Sequence, residues 1–265
     1  MDRRSRLRRH VGAAQHPDLS QRPARRAALA EAVDEGLIAR SPAAHVGLPR
    51  SVAKPVKEKE ALVWDEAQVD RFLEVTAAHR WYVAFRLGVL LGLRRSEVLA
   101  LRWDDFDPAA KTLRIDESLV PLNNGAALSN AKNERSRRLV PLDDGTLHAL
   151  KQRRVAQNLE RLAAGAEWTD HDLVITTRNG NYVLPRAYDR SLAIVVQRTG
   201  LPNLTSHGLR HTAATHMVRS AGDVGELRAI ADILGHSPEM LLNVYSHALP
   251  RSQSAVVSRI SARSV

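Results

Sequence analysis

The side chains that could do chemistry in this sequence crowd into one stretch, residues 204–247. It contains His207, Arg210, His211, His236 and Tyr245, with no cysteine and no carboxylate among the reactive candidates. Such a set offers a hydroxyl nucleophile, imidazoles that can take up a proton, and a guanidinium fork that can hold an anion. Two distant stretches look built to complete it. One is Gly92-Leu93-Arg94-Arg95-Ser96-Glu97, and the other is a basic segment around Lys132. Taken singly, each residue has a plainer reading. His207 and His211 are one helical turn apart, the spacing of a zinc pair. However, His207 is not followed by Glu as in His-Glu-x-x-His, and no third ligand is evident, so a metal is not expected. Arg94 alone reads as a solvated helix start, and Tyr245 alone as a half-buried packing residue.

The elements that must carry these residues can be read from composition and periodicity. The 265 residues have a net charge of +10 and a sequence pI of about 10.6. A polyanion is the natural partner of such a chain, and nucleic acid is the commonest one. The hydrophobic fraction, 44%, is ordinary for a globular protein. With no cysteine, disulfides, thiolate chemistry and Cys-ligated zinc are excluded. The basic opening Met-Asp-Arg-Arg-Ser-Arg-Leu-Arg-Arg is followed by no apolar run, so it does not read as a signal peptide. The longest apolar stretch, near residues 83–93, contains Arg86 and is too short to span a bilayer. These features predict a soluble, cytoplasmic protein with no membrane partner.

Residues 1–26 carry eight Arg against two Asp, with Pro17 and Pro23, and read as basic and disordered. Residues 25–39 read as a helix with Ala28, Leu29, Ala32, Val33 and Leu37 on one face, stopped by Gly36 and Ser41-Pro42. Residues 47–60 have linker chemistry, so a domain boundary is expected near residue 60. Asp65-Glu66-Ala67-Gln68 then has capping-box spacing for a new helix with Val69, Phe72, Leu73 and Val75 on its apolar face. A helix over residues 81–91, apolar on most faces, reads as central to the core. A short helix over 96–101 follows the break at Gly92.

Strand character at 112–115, 118–120 and 138–142, with the turn signal Asn123-Asn124-Gly125, predicts a small antiparallel sheet of about three strands. A long helix over 145–162 is expected to turn Leu147, Leu150, Val155, Leu159 and Leu162 inward. Residues 172–176 read as extended. Further helices are expected over 186–199, 207–220, 225–234 and 238–245. The fold class is therefore mainly α with a small antiparallel β-sheet, an α+β arrangement.

In combination, the chemistry-bearing segments resemble the boxes of the tyrosine recombinase (phage integrase) family. Gly92-Leu93-Arg94-Arg95-Ser96-Glu97-Val98-Leu99-Ala100-Leu101-Arg102-Trp103 resembles the first box, whose Arg falls on Arg94. His207-Gly208-Leu209-Arg210-His211-Thr212 resembles the His-x-x-Arg box. Leu234-Gly235-His236-Ser237, with Tyr245 nine residues beyond His236, resembles the box of the third basic residue and the nucleophile. The stretch from Ala131-Lys132-Asn133 to Val140-Pro141-Leu142 resembles the hairpin of the catalytic lysine, placed on Lys132. The resemblance covers residues 60–250 and implies the DNA breaking-rejoining fold of a tyrosine recombinase catalytic domain.

It also implies a catalytic set of Arg94, Lys132, His207, Arg210, His236 and Tyr245. Arg94 and Arg210 would hold the charged phosphorus centre, and His207 would accept the phenolic proton. His236 would bind the phosphate or orient the tyrosine. Lys132 would protonate the leaving 5′ oxygen, and Tyr245 would form a 3′-phosphotyrosyl ester. No cofactor, metal or small-molecule substrate is implied. The partner is double-stranded DNA, held by a homotetramer, with Arg95, Arg135, Arg137 and Arg138 expected to grip it. His211 and His216 are expected to be packed or hydrogen-bonded support residues.

Two features depart from the family pattern. Leu241 and Leu242 stand where members usually have Thr-Thr. Residues 27–59 resemble only the last helix and exit of the core-binding domain that members place before the catalytic domain, and 251–265 read as a tail. The expected activity is site-specific cutting and rejoining of DNA. Two other readings stay open: a type IB topoisomerase-like enzyme, and a truncated, non-catalytic DNA-binding remnant.

Overall fold

A computed structural model describes residues 28, 29, 31–33, 35–42, 62–122, 125–130 and 137–245. Expectations for residues 1–26 and 251–265 lie outside the described residues. Contacts divide the chain into two units, Met1–Lys59 and Glu60–Val265.

In the first unit the described residues between 28 and 33 have helical backbone. Gly36, at φ 72°, closes them. Its N–H donates to Val33 O at 3.0 Å and the Leu37 N–H to Ala32 O at 2.9 Å, the paired bonds of a left-handed helix cap. Leu37, expected on the apolar face, is exposed.

The second unit begins as its sequence predicts. Asp65 caps α1 (Glu66–Thr76): the Gln68 N–H donates to Asp65 Oδ1 at 2.8 Å, and Gln68 Oε1 accepts from the Asp65 N–H at 3.0 Å. Just before it, Trp64 is fully buried and ties the start of the unit to a later helix. Its N–H donates to Thr212 Oγ1 at 3.2 Å, and its carbonyl lies 2.7 Å from His216 Nε2. His216 is thus the support residue it was expected to be. The second helix, α2 (Tyr82–Leu90), is buried on most faces, as expected of a central core element. Its Phe85 joins a run of tilted rings from Trp64 through Phe72 to Tyr188, with centroids 5.0 to 5.9 Å apart.

Gly92 ends α2 at φ 64°, and a Cβ there would lie 2.5 Å from Leu234 Cδ2. Only glycine satisfies both the left-handed backbone and this close approach. The chain then turns into α3 (Arg95–Ala100). Beyond α3, β1 (Phe106–Asp107), β2 (Thr112–Ile115) and β5 (Arg138–Pro141) form an antiparallel sheet in the order β1-β2-β5. β3 (Glu117–Leu122) and β4 (Gly125–Asn130) form a separate hairpin, in register from Glu117 opposite Asn130 to Leu122 opposite Gly125. The sheet has three strands as expected, but one of them is Phe106–Asp107; the expected strand over 118–120 pairs instead within the separate hairpin.

The long helix α4 (Asp144–Ala164) overturns one expectation. Leu150 is buried, but Val155, Leu159 and Leu162 are 62 to 79% exposed. The buried face is instead Thr146, Ala149, Leu150, Arg153 and Gln157. The helical period holds, but the core under this face is polar. The Arg153 Nε–H donates to Val174 O at 3.1 Å, and Gln157 Nε2 donates to Leu173 O at 2.8 Å. Gln157 Oε1 accepts from Trp103 Nε1 at 2.6 Å. Without these partners the buried carbonyls of the extended 173–176 segment would be unsatisfied, which a leucine could not remedy.

The remaining helices are α5 (Pro185–Thr199), α6 (Ser206–Ser220), α7 (Val224–Leu234) and α8 (Pro238–Tyr245). Ala214, Val218, Ile230, Ala231, Leu234, Leu241 and Tyr245 pack α6, α7 and α8 into a small core of their own. Leu241 therefore fills that core, whereas Leu242 faces outward. No helix among the described residues is long and apolar enough to cross a membrane.

Gly92→Ala is expected to destabilise the protein by about 3 kcal/mol, from positive-φ strain and overpacking against Leu234 together. Urea unfolding followed by circular dichroism checks this.

Candidate active site

The site is built around the C-terminal end of α7. A helix leaves its last carbonyls without partners and carries partial negative charge there. Three arginines from three different elements meet those carbonyls. Arg138 of β5 donates from Nε to Ile233 O at 2.7 Å. Arg210 of α6 donates from Nη2 to Leu234 O at 2.6 Å. Arg94, just before α3, donates from Nη2 to Gly235 O at 3.0 Å. Gly235 closes the helix at φ 62°, and a Cβ there would lie 3.1 to 3.3 Å from the guanidiniums of Arg138 and Arg94. The Gly in Leu234-Gly235-His236 thus suits the left-handed backbone, and a side chain there would crowd the two guanidiniums.

Glu97 supplies the counter-charge. Its carboxylate, 4% exposed, accepts from Arg94 Nη1 at 2.7 Å and the Arg94 backbone N–H at 2.8 Å, and from both terminal nitrogens of Arg138 at 2.9 and 3.1 Å. Burial pushes its carboxyl up. The hydrogen bonds and charge of Arg138, with Arg94 behind them, outweigh that and hold it below the usual carboxylate range.

Arg210 is buried. Its Nη1 also donates to Gly92 O, the carbonyl just past the end of α2, and its Nη2 lies 2.7 Å from His236 Nε2. Burial, with the charge of Arg94, pulls the Arg210 guanidinium down to about 10, still cationic at neutral pH. Arginine only donates, so His236 Nε2 is the acceptor and the ring proton sits on Nδ1. That Nδ1 is buried without a partner among the described residues. Burial and the charges of Arg210, Arg94 and Arg138 depress His236 to about 4, so it is neutral.

A second chain of contacts runs beside this one. His207 and His211 lie one turn apart on α6, with their Nε2 atoms 2.8 Å apart. His211 Nδ1 is 3.0 Å from the Tyr245 hydroxyl oxygen at the end of α8. Tyr245 is 3% exposed, and burial raises its phenol against the lowering effect of Arg210. Arg94, Arg95, His207, Arg210 and His236 line one open groove of about 760 Å³, with Asp189, Thr205 and Ser206 on its wall.

Five of the six expected catalytic residues therefore converge: Arg94, His207, Arg210, His236 and Tyr245. Lys132 and Arg135 lie outside the described residues. Arg137 is exposed. Arg95 lines the groove but is ion-paired to Asp189, which also accepts from Ser206 Oγ at 3.0 Å. Arg138, expected to grip DNA, is corrected by its surroundings: its side chain is 6% exposed and braces Glu97 from inside. Strand alternation carries the signal for this, since Arg138 shares a face with buried Val140 while Leu139 points out. Glu97 and Asp189 had no role in the sequence reading. His211, expected as a support residue, is the side chain that holds the tyrosine hydroxyl.

Together, fold and groove define a cationic cleft on a mainly helical unit, with a phenol tied to it through two imidazoles. A sequence model of the phage integrase family matches residues 63–251, and the chain belongs to that family. It is 26% identical over 245 residues to a tyrosine recombinase XerC-like protein of Caldanaerobacter subterraneus subsp. tengcongensis, covering 87% of this chain and 62% of that protein. It is 30% identical over 217 residues to tyrosine recombinase XerC of Agrobacterium fabrum, covering 77% of this chain and 61% of that one. The chain thus spans about three fifths of the length of these relatives. Among solved structures, the Tn1549 transposon integrase in complex with transposon right-end DNA shares the fold. Its TM-score is 0.71 at 17% identity, over 93% of this chain and 78% of that one.

Two outcomes are expected from the electrostatics. Glu97→Gln removes the charge of the buried carboxylate that Arg94 and Arg138 share and is expected to cost about 3 kcal/mol in urea unfolding. The pH dependence of stability follows from His79, His211 and His236, each held below 6.5 with burial as the first cause. The unfolded chain binds more protons than the folded one, so stability rises with pH. It is complete above pH 6.5 and is lost as pH falls from 6.5 towards 4. The thermal midpoint should drop across that window, and less steeply in His236→Gln.

Proposed function

We propose that residues 60–250 are the catalytic domain of a site-specific recombinase that cuts and rejoins double-stranded DNA through Tyr245. The observation that carries this reading is the convergence of Arg94, Arg210, His207 and His236 on one groove, with the Tyr245 hydroxyl linked to His207 through His211. Family membership and the net charge of +10 support it. The relatives are named tyrosine recombinases, and the fold neighbour is bound to DNA.

In this reading a backbone phosphate enters the groove. Arg94 and Arg210 take its non-bridging oxygens and stabilise the charge that accumulates there as the phenol oxygen attacks phosphorus. Their anchoring to helix-end carbonyls means that little reorganisation is needed on binding. His236, neutral and hydrogen-bonded to Arg210, sets that guanidinium's orientation. The P–O5′ bond breaks as the P–O(Tyr245) bond forms, and Lys132 protonates the departing 5′ oxygen. A 5′ hydroxyl then attacks the phosphotyrosyl ester and the phenol leaves, which reseals the strand. The ester conserves the energy of the broken bond, so rejoining needs no nucleotide cofactor. Exchange between two duplexes requires four such sites, hence a homotetramer on DNA in the cytoplasm. Arg95, Arg135 and Arg137 are proposed to grip phosphates flanking the site.

The test is covalent trapping. The 265-residue chain is incubated with nicked duplexes made from the DNA on either side of its own gene, and products are run on a denaturing gel. An adduct is expected with the unaltered chain and none with Tyr245→Phe. Arg210→Ala should slow adduct formation by about 10²- to 10³-fold, the usual effect of removing a donor to the developing charge. An adduct that survives Tyr245→Phe sinks the assignment. Salt-dependent DNA binding with no adduct would mark a DNA-binding protein without strand-transfer activity.

A further inference from the structure

Tyr245 has one hydrogen-bond partner among the described residues, and it is His211, not the His207 of the His-x-x-Arg box. The polarity of this contact follows from its surroundings. The hydroxyl belongs to a buried residue and makes no other hydrogen bond among the described residues. If His211 donated from Nδ1 to the phenol oxygen, the phenolic hydrogen would have no partner among the described residues at a part-buried position, which costs about 1 kcal/mol. The phenol therefore donates and His211 Nδ1 accepts. A neutral imidazole with an accepting Nδ1 carries its proton on Nε2. That atom lies 2.8 Å from His207 Nε2, which must then accept. His207 is exposed and lines the groove. A continuous, correctly polarised path thus runs from the buried phenol, through one ring, to an imidazole at the solvent.

The geometry points to His211 as a catalytic residue that takes the proton from Tyr245 and passes it to His207. In the forward step the phenolic O–H bond breaks as an Nδ1–H bond forms on His211. In concert the Nε2–H bond of His211 breaks and an Nε2–H bond forms on His207. His211 ends as the other neutral tautomer, and the positive charge sits on His207, where water reaches it. On rejoining the proton returns by the same path to the leaving phenol. His211 never has to hold a net charge inside a cationic site. The groups facing it are His207 and Arg210 on its own helix, Tyr245 on α8, and His236 after α7, which senses its charge. Burial, then His207, then Arg210 hold it below the ordinary imidazole range, so it is neutral and ready to accept at pH 7.

The inference rests on Tyr245 being the nucleophile, and its test is arranged to separate the two. The adduct assay above, with Tyr245→Phe, tests the nucleophile. Rates of adduct formation in His211→Phe and His211→Asn test the relay. Both variants are expected to be about 10²-fold slower at pH 7, the lower end for loss of a general base. Their rates should rise about tenfold per pH unit towards the phenol's ordinary pKa near 10, whereas the unaltered chain reaches a plateau. Imidazole added to His211→Ala should restore part of the rate. DNA binding should change little, and His211→Asn keeps an acceptor for the phenol if His211→Phe does not fold.

Independently of DNA, long-range ¹H–¹⁵N correlation on ¹⁵N-histidine-labelled protein should show His211 protonated on Nε2 and not on Nδ1. A loss of rate that is the same at every pH, full activity in His211→Asn, or an Nδ1-protonated His211 would overturn the inference. Absence of any adduct with the unaltered chain would overturn the nucleophile reading and this one with it.

Discussion

Like-charge repulsion is the constraint under which this site is organised. Three guanidiniums, two of them buried, are held around the end of one helix. Repulsion of this kind in a partly dry interior would disperse them unless something fixed them in place. Two things do. The C-terminal carbonyls of α7, at residues 233, 234 and 235, each take one arginine, and Glu97 takes two of the three. A helix end is well suited to this task. Its carbonyls need donors in any case, and its partial charge favours cations. The same contacts join α3, β5, α6 and α7, so the site's electrostatics also serve as its tertiary restraint.

The small core of α6, α7 and α8 makes sense in this light. It is thin, with Leu241 and Tyr245 supplying much of its bulk. Its position is fixed from outside by Gly92. That glycine lets the end of α2 come against Leu234 and offers its carbonyl to Arg210. Substituting leucines for the usual threonines near the tyrosine is compatible with this packing. Leu241 adds apolar contact inside, and Leu242 lies outside without disturbing the groove.

Much of this was legible in the sequence because it depends on local chemistry. Asp65 and Gln68 signal a helix start within four residues, and Gly92 and Gly36 signal helix ends by their backbone freedom alone. The residue types of the site and their spacing on α6 were equally plain. The part that was not legible depends on long-range partners. Arg153 and Gln157 face inward because carbonyls at 173 and 174 need donors, and nothing near residue 153 announces that need. Glu97 and Arg138 are 41 positions apart, and each alone reads as surface charge. His211 looked like support because its partner is on another helix, 34 residues away. Its place one turn beyond His207, on the same face, was the signal available.

The arrangement leaves the groove poised for an anion. A guanidinium has five N–H donors. In Arg210, Nη1 gives one to Gly92 O, and Nη2 gives one each to Leu234 O and His236 Nε2. The Nε–H and one Nη1–H remain. In Arg94, Glu97 and Gly235 take one donor from each terminal nitrogen, which leaves Nε–H and a second hydrogen on each. The anchored hydrogens fix each plane, and the remaining ones are the donors left to meet a ligand. A phosphate bound there would relieve the repulsion that Glu97 only partly offsets. It would also raise the proton affinity of His236, which burial and the charges of Arg210, Arg94 and Arg138 hold down to about 4. His211, held below the ordinary imidazole range by burial and then by His207 and Arg210, lies at the edge of that cationic knot.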